Sequence, residues 1–369
     1  MNRRAFLALA PVAACSRRGA AGFPGYVFVA NEEGRTIAAV DLMKFQVRSE
    51  ISLDGNPTAV ISHPRRPAVY ALTPQSGVVH EIDPASFQVR RKARIGLPVT
   101  SMRLAADGAS LWVLSRDARA LIQLSLDSFQ TGARIRLPGV PADFDLSTAK
   151  ATISLPAEGS LAMADLRSAR VEGVAATGPD AGTVRFHAEG KRVLCGNRGN
   201  RTLTIYDVAS GRIIAHLPMG VEPENFCYKA SNEGEMYVTG AGMDALVVIY
   251  PYQSEVHETR LMGRSPGAMA ASSSPEYLFV ANTESGNVTV MDVETGKVLA
   301  AVAVGAEPRH ISVTPDSQYA IALNSRSGDI ALIDISAFSS ARRAQRAPTP
   351  LFTMIPVGAK PVSAAIVRT

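Results

Sequence analysis

Six histidines, three cysteines and a series of charged turns are the residues of this 369-residue chain with the widest chemical reach. His63, His80, His187, His216, His257 and His310 form no HxH or HExxH pair, so no local metal-ligand spacing exists. Ligands that converge only on folding stay open, and His310 is the best placed of the six. No CxxCH is present, which excludes covalently attached c-type haem. Cys195 and Cys227 stand 32 residues apart, and both a disulfide and two free thiols are compatible with that spacing. No GxSxG, P-loop or dinucleotide fingerprint stands in a strand–turn–helix context, so no catalytic residue is assigned. Residues 196–199 (GNRG) read as a turn.

The charged turns offer more. Several cluster around prolines in the second half of the chain, bringing Glu222, Glu224, Asn225, Arg264, Glu307, Arg309, His310 and Lys360 to similar positions. In the first half the corresponding positions are small or apolar, as at Leu97, Val99, Val140 and Ala142. Brought to one mouth, the later set could hold a small ion or an anionic group. The competing reading is a solvated rim of compensating ion pairs, which contributes little energy.

What must position these turns is a repeat. Residues 277–292 (YLFVANTESGNVTVMD) and 26–41 (YVFVANEEGRTIAAVD) share one build, an apolar run to Asn and a second run to Asp ten residues on. The frame recurs as Asn31/Asp41, Thr73/Asp83, Ser115/Ser125, Leu155/Asp165, Asn197/Asp207, Gly240/Tyr250, Asn282/Asp292 and Asn324/Asp334. Successive steps are 42, 42, 40, 42, 43, 42 and 42 residues. Each unit divides into four short alternating runs bounded by Gly, Pro, Asn or Asp, the signature of strands. No window keeps a helical period. Four strands in 40 to 45 residues are the arithmetic of a β-propeller blade. The fold expected is therefore all-β, a propeller of eight blades, with seven plus a displaced unit as the alternative. Recurrence also assigns Asp41, Asp83, Asp165, Asp207, Asp292 and Asp334 to turns rather than to catalysis. Asn is expected to tolerate left-handed backbone and to bond the next turn.

Two segments break the period. The chain opens on a second strand at Tyr26 and ends on a lone first strand, Pro361 to Val367, so the C-terminal strand should complete the N-terminal blade. Residues 336–350 (SAFSSARRAQRAPTP) lengthen the last blade and read as an exposed loop.

The segments 279–282 (FVAN), 288–292 (VTVMD) and 305–308 (GAEP) resemble the YVTN family β-propeller repeat. The resemblance covers residues 26–369 and is strongest in blades one, five, seven and eight. It implies a propeller in an exported bacterial or archaeal protein, and no particular activity. Eight-bladed relatives of this repeat include the haem d1 domain of cytochrome cd1 nitrite reductase. The resemblance thus also admits a redox propeller, or more weakly a lactonase-like hydrolase, with a non-covalent cofactor or metal at the mouth.

The N-terminus supports export. Residues 1–14 (MNRRAFLALAPVAA) pair a basic start with an apolar run too short to span a bilayer, as an export signal does. Asn2 to Leu7 resembles the twin-arginine motif, and Val12-Ala13-Ala14-Cys15 resembles a lipobox whose Cys15 would carry lipid. Residues 15–25 then read as a flexible tether and 26–369 as one domain. The net charge of +5 falls to +3 without the signal, and no single segment interleaves basic and aromatic residues, which argues against nucleic acid as a partner. The expected protein is a monomeric scaffold at the periplasm or cell envelope. It would bind a protein or small molecule, touch the membrane only through its lipid, and need no cofactor.

Overall fold

Every blade of the computed structural model is a four-stranded antiparallel sheet, and eight such sheets follow one another along the chain. The structure describes residues 22–96, 98–339 and 350–369; residues 1–21 with the expected export signal and Cys15, Leu97, and residues 340–349 of the insertion lie outside the described residues. Blade I joins Gly25–Asn31, Thr36–Asp41 and Gln46–Ser52 to the C-terminal strand Pro361–Arg368. Blades II to VIII occupy residues 59–94, 99–136, 144–176, 181–218, 225–261, 266–303 and 308–356. The ring closes as the sequence leads one to expect, with Pro361–Arg368 antiparallel to Gly25–Asn31. Packed structure starts earlier than the expected tether boundary: Phe23 is buried against blade VIII, and Gly25 O accepts from Leu42 N at 3.1 Å.

No blade owns a core. Period-two alternation sends Val27 and Val29 into the seam with blade VIII, and Phe28 and Ala30 into the seam with blade II. The same division gives eight apolar clusters, one in each seam. Second strands are thus buried on both faces, whereas outer strands such as Arg170–Ala176 alternate with solvent.

The repeated Asp does what its recurrence implies. Asp41 Oδ1 accepts from Met43 N and Lys44 N, Asp207 Oδ1 from Ser210 N at 2.7 Å, and Asp292 Oδ1 from Thr295 N at 2.8 Å. Four residues after the Asp the backbone turns left-handed, at Phe45 (φ 53°), Phe87 (φ 58°) and Gly211 (φ 69°). A phenylalanine there costs about 1 kcal/mol, and its ring offsets that by reaching the preceding blade. Phe45 meets Phe352 at 4.7 Å and Phe87 meets Tyr26 at 5.1 Å. In blade VIII the same position is Phe338, on a short 3-10 helix Ile335–Phe338 capped by Asp334, and it meets Tyr277 at 6.0 Å. The start of the insertion is therefore buried, contrary to its reading as exposed.

The repeated Asn works differently from expectation. Asn31, Asn197, Asn282 and Asn324 lie in second strands, fully buried, with none in left-handed backbone. Asn31 Nδ2 donates to Val357 O at 2.7 Å, in the turn that crosses from blade VIII. Each Asn also occupies the space beside the glycine of its own entering turn. A Cβ on Gly358 would lie 2.6 Å from Asn31 Nδ2, and one on Gly305 would lie 2.6 Å from Asn324 Nδ2. The paired Asn and Gly of the repeat are one contact, which fixes each crossing between blades.

Substitution should separate this clash from backbone strain alone. Gly211→Ala meets nothing closer than 3.7 Å and is expected to cost about 1 kcal/mol. Gly358→Ala, at φ 135° and against Asn31, is expected to cost roughly 2 to 4 kcal/mol in urea unfolding. Equal losses would show that the contact with Asn31 contributes nothing.

Candidate functional site

The turns that enter the inner strands meet the turns between second and third strands at one end of the ring. Glu32 N donates to Lys360 O at 2.9 Å, and Arg326 N to Ala306 O at 3.2 Å. Three adjoining depressions open there, and Arg309 lines all of them. The largest, 920 Å³, adds Glu307, Arg326 and Lys360. The second adds Arg264 and Glu284, and the third Glu224 and Asn225.

Six of the eight residues singled out from the sequence are therefore gathered around one arginine. Glu222 is not, and instead faces Arg201 at 3.7 Å. His310 is not either, because its side chain lies inside the ring, bonded through Nε2 to Ser312 Oγ at 2.9 Å. The gathered charges are largely matched. Arg309 meets Glu307 at 3.3 Å, Arg264 meets Glu284 at 3.2 Å, and Lys360 meets Glu32 at 2.9 Å. Exposed pairs at such distances contribute little and exchange partners readily. Arg264 and Arg326 keep about three-quarters of their side chains in water, so a ligand could recruit them at small cost.

A second charged set was missed by sequence reasoning. Arg103 of blade III, Asp143 and Asp145 of blade IV, and Arg185 of blade V form a ladder on the inner strands and their entry. Asp143 Oδ2 meets Arg185 at 2.5 Å, and its Oδ1 meets Arg103 at 3.4 Å. Phe186 N donates to Asp145 Oδ2 at 2.8 Å, and Val184 N to Asp143 Oδ2 at 3.3 Å. The carboxylates thus cap the open edge of the next blade's inner strand, whose N–H groups no strand pairs. Burial alone would raise the Asp143 carboxyl, but Arg185 and Arg103 outweigh it and hold it below the ordinary carboxylate range. With its oxygens occupied and its proton gone, the ladder locks three blades and has no group free for acid–base work. The available signal was alternation: Asp143 and Asp145 flank buried Phe144, and Arg103 and Arg185 follow buried Met102 and Val184.

His310 belongs to the uncharged side of the ring. Burial lowers its imidazole to about 4, so it is neutral at pH 7. With Ser312 as its one hydrogen-bond partner among the described residues and so low a pKa, it is a poor general base. Among the described residues no three His, Cys, Asp or Glu side chains converge as a metal site. The other histidines have structural partners: His63 bridges to Gly108 O at 2.9 Å, and His80 bonds Asp54 at 2.7 Å. Cys195 and Cys227 are free thiols, and burial pushes both up to about 12, which leaves them unreactive.

No family model matches the sequence, and no curated protein matches it, so the resemblance to the YVTN repeat stands on the segments quoted above. Solved structures do share the architecture. The dihydro-heme d1 dehydrogenase NirN in complex with DHE aligns over 96% of this chain and 78% of its own, at 15% identity and TM-score 0.73. Apo AztD from Citrobacter koseri aligns over 93% and 97% at 12% identity and TM-score 0.69. The computationally designed Ika8 protein aligns over 85% and 92% at 12% identity and TM-score 0.67. Likeness at these identities extends to the propeller fold alone.

The depressed His310 carries a pH signature. Its folded pKa lies below the value near 6.5 of an unfolded histidine, so the unfolded chain binds more protons between those limits. Stability should fall as pH drops from about 6.5 toward 4. His310→Gln should reduce that loss by about 2 kcal/mol in chemical unfolding at pH 4.5 against pH 7.5. His80 and His187, which burial also lowers, would supply the remaining slope. An unchanged slope would contradict the burial of His310.

Proposed function

We propose that this chain is an exported binding propeller of the YVTN type, which takes an anionic ligand or the acidic surface of a protein partner at the face around Arg309. One observation carries the reading: Arg309 is common to three adjoining depressions, and Arg264, Arg326 and Lys360 stand with it. Guanidinium groups suit carboxylate and phosphate oxygens, and their exposed Glu partners are displaceable. The export signal and Cys15 would place the protein at the cell envelope, tethered by lipid. Among the described residues no paired nucleophile and base stands at this face, and the reading taken is binding rather than turnover.

The second reading places a non-covalent cofactor or metal at the axial mouth, by analogy with the NirN complex. The residues present fit it poorly. His310 offers one neutral imidazole, and no convergent second or third ligand accompanies it among the described residues.

Immobilised protein exposed to envelope extract should retain a partner that Arg309→Glu loses by about tenfold or more, with the unfolding midpoint unchanged. Turnover of a substrate by the pure protein, with no partner retained, would overturn the reading. A visible absorption band or stoichiometric metal lost in His310→Ala would favour the second.

A further inference from the structure

Charge is distributed across the ring far more unevenly than the net charge indicates. Residues 54–137, which supply blades II and III, hold eleven Lys and Arg against six Asp and Glu. Residues 220–304, which supply blades VI and VII, hold four against eleven. In a ring of eight, blades VI and VII stand opposite blades II and III. Opposite sectors of the ring therefore differ in net charge, basic at blades II and III and acidic at blades VI and VII.

The basic wall is built by register. The outer strand of blade II, Gln88–Arg94, exposes Arg90, Lys92 and Arg94 along one side, and that of blade III, Thr131–Arg136, exposes Arg134 and Arg136. Arg94 pairs with Val78 and Arg136 with Ala120, the first residues of their third strands, so the two arginines occupy equivalent positions in neighbouring blades. Lys92 and Arg134 match in the same way, opposite His80 and Ile122. Asp83 pairs with Arg90 and Asp54 with Lys92, whereas Arg94, Arg134 and Arg136 have no acidic partner among the described residues. No single segment of sequence shows this stripe, because two strands 42 residues apart compose it.

We infer that the outer wall of blades II and III rests on an anionic phospholipid surface. Two further observations choose lipid as the occupant. The described chain starts at Gly22, packed on Leu42 and Met43 on the side of blade I that faces blade VIII, and blade I adjoins blade II on its other side. Cys15 lies seven residues before Gly22, so an extended chain from a lipid there reaches at most about 25 Å. A bilayer that holds the tether thus lies within about 25 Å of blade I, the blade beside this wall. Beside it, blade I exposes Met43 and Val47, 53% and 38% accessible, as apolar residues able to enter the headgroup region. The net acidic sector across the ring is repelled by the same surface, so the charge asymmetry also sets orientation. With the wall down, the ring axis runs parallel to the bilayer and the face around Arg309 stays open at the side. The inference uses the tether of the functional reading but none of its binding site.

The test separates lipid contact from anchoring. The full chain carrying Cys15→Ser is sedimented with vesicles of phosphatidylcholine, alone or with about a quarter phosphatidylglycerol. Binding is expected only to the anionic vesicles, weakening in high salt. The triple change Arg94→Glu, Arg134→Glu and Arg136→Glu should lower it by about tenfold or more. Arg212→Glu, on blade V, should leave it unaltered. Equal binding to neutral vesicles, or insensitivity to the triple change, would overturn the inference. So would salt-sensitive self-association or retention of nucleic acid without vesicle binding, which would assign the wall to a second copy's acidic side or to a polynucleotide.

Discussion

A blade of this protein has two apolar faces and nothing of its own to cover either, and the rest of the architecture answers to that constraint. Each seam is filled from both sides, so every blade depends on its two neighbours and the ring must close. Closure by Pro361–Arg368 on Gly25–Asn31 ties the two termini of the domain into one sheet, so fraying at either end is resisted by three further strands. The Asn and Gly of the repeat serve the same need at the crossings. A buried amide fills the space that a Cβ would claim, and the chain passes between blades in one geometry.

The repeats then diverge where closure leaves them free. On the inner strands of blades III to V, the ladder from Arg103 to Arg185 replaces apolar contact with ion pairs that satisfy a strand edge. Such buried pairs need close geometry to offset their desolvation, and the added N–H donors from Val184 and Phe186 provide it. Apart from Arg309 at the mouth and Arg368 at the end of its strand, the other inner strands carry small or neutral side chains, with His310 uncharged among them. At the end of the ring, charges remain in water and their pairing is loose, which leaves them available to a ligand. The same residue types therefore have opposite consequences at two depths of one structure.

Scale also separates the two walls from the mouth. The asymmetry between blades II–III and VI–VII acts over the whole molecule, with a range set by salt, whereas the Arg309 face acts by contact. On the proposed readings, one would orient the protein and the other would select what it holds.

Periodicity in the sequence was enough to determine blade number, strand order and closure, because a blade's second strand must be apolar on both faces and its turns must bend. The tight outer turns were legible in Asp41 to Asp334 for the same local reason. The role of Asn31 and its equivalents was not, since their partner is a glycine that enters from another blade. The mouth was legible in part: residues adjacent to prolines, such as Glu307, Arg309 and Lys360, converge because equivalent turns share one end of the ring. His310 departed from them because one step along a strand turns a side chain from the rim to the interior. Only the tertiary structure decided that Arg103, Asp143 and Arg185 meet, and that Arg94 and Arg136 align. Those pairings join residues from different blades, and their distances are set by the curvature of the closed ring rather than by spacing along the chain.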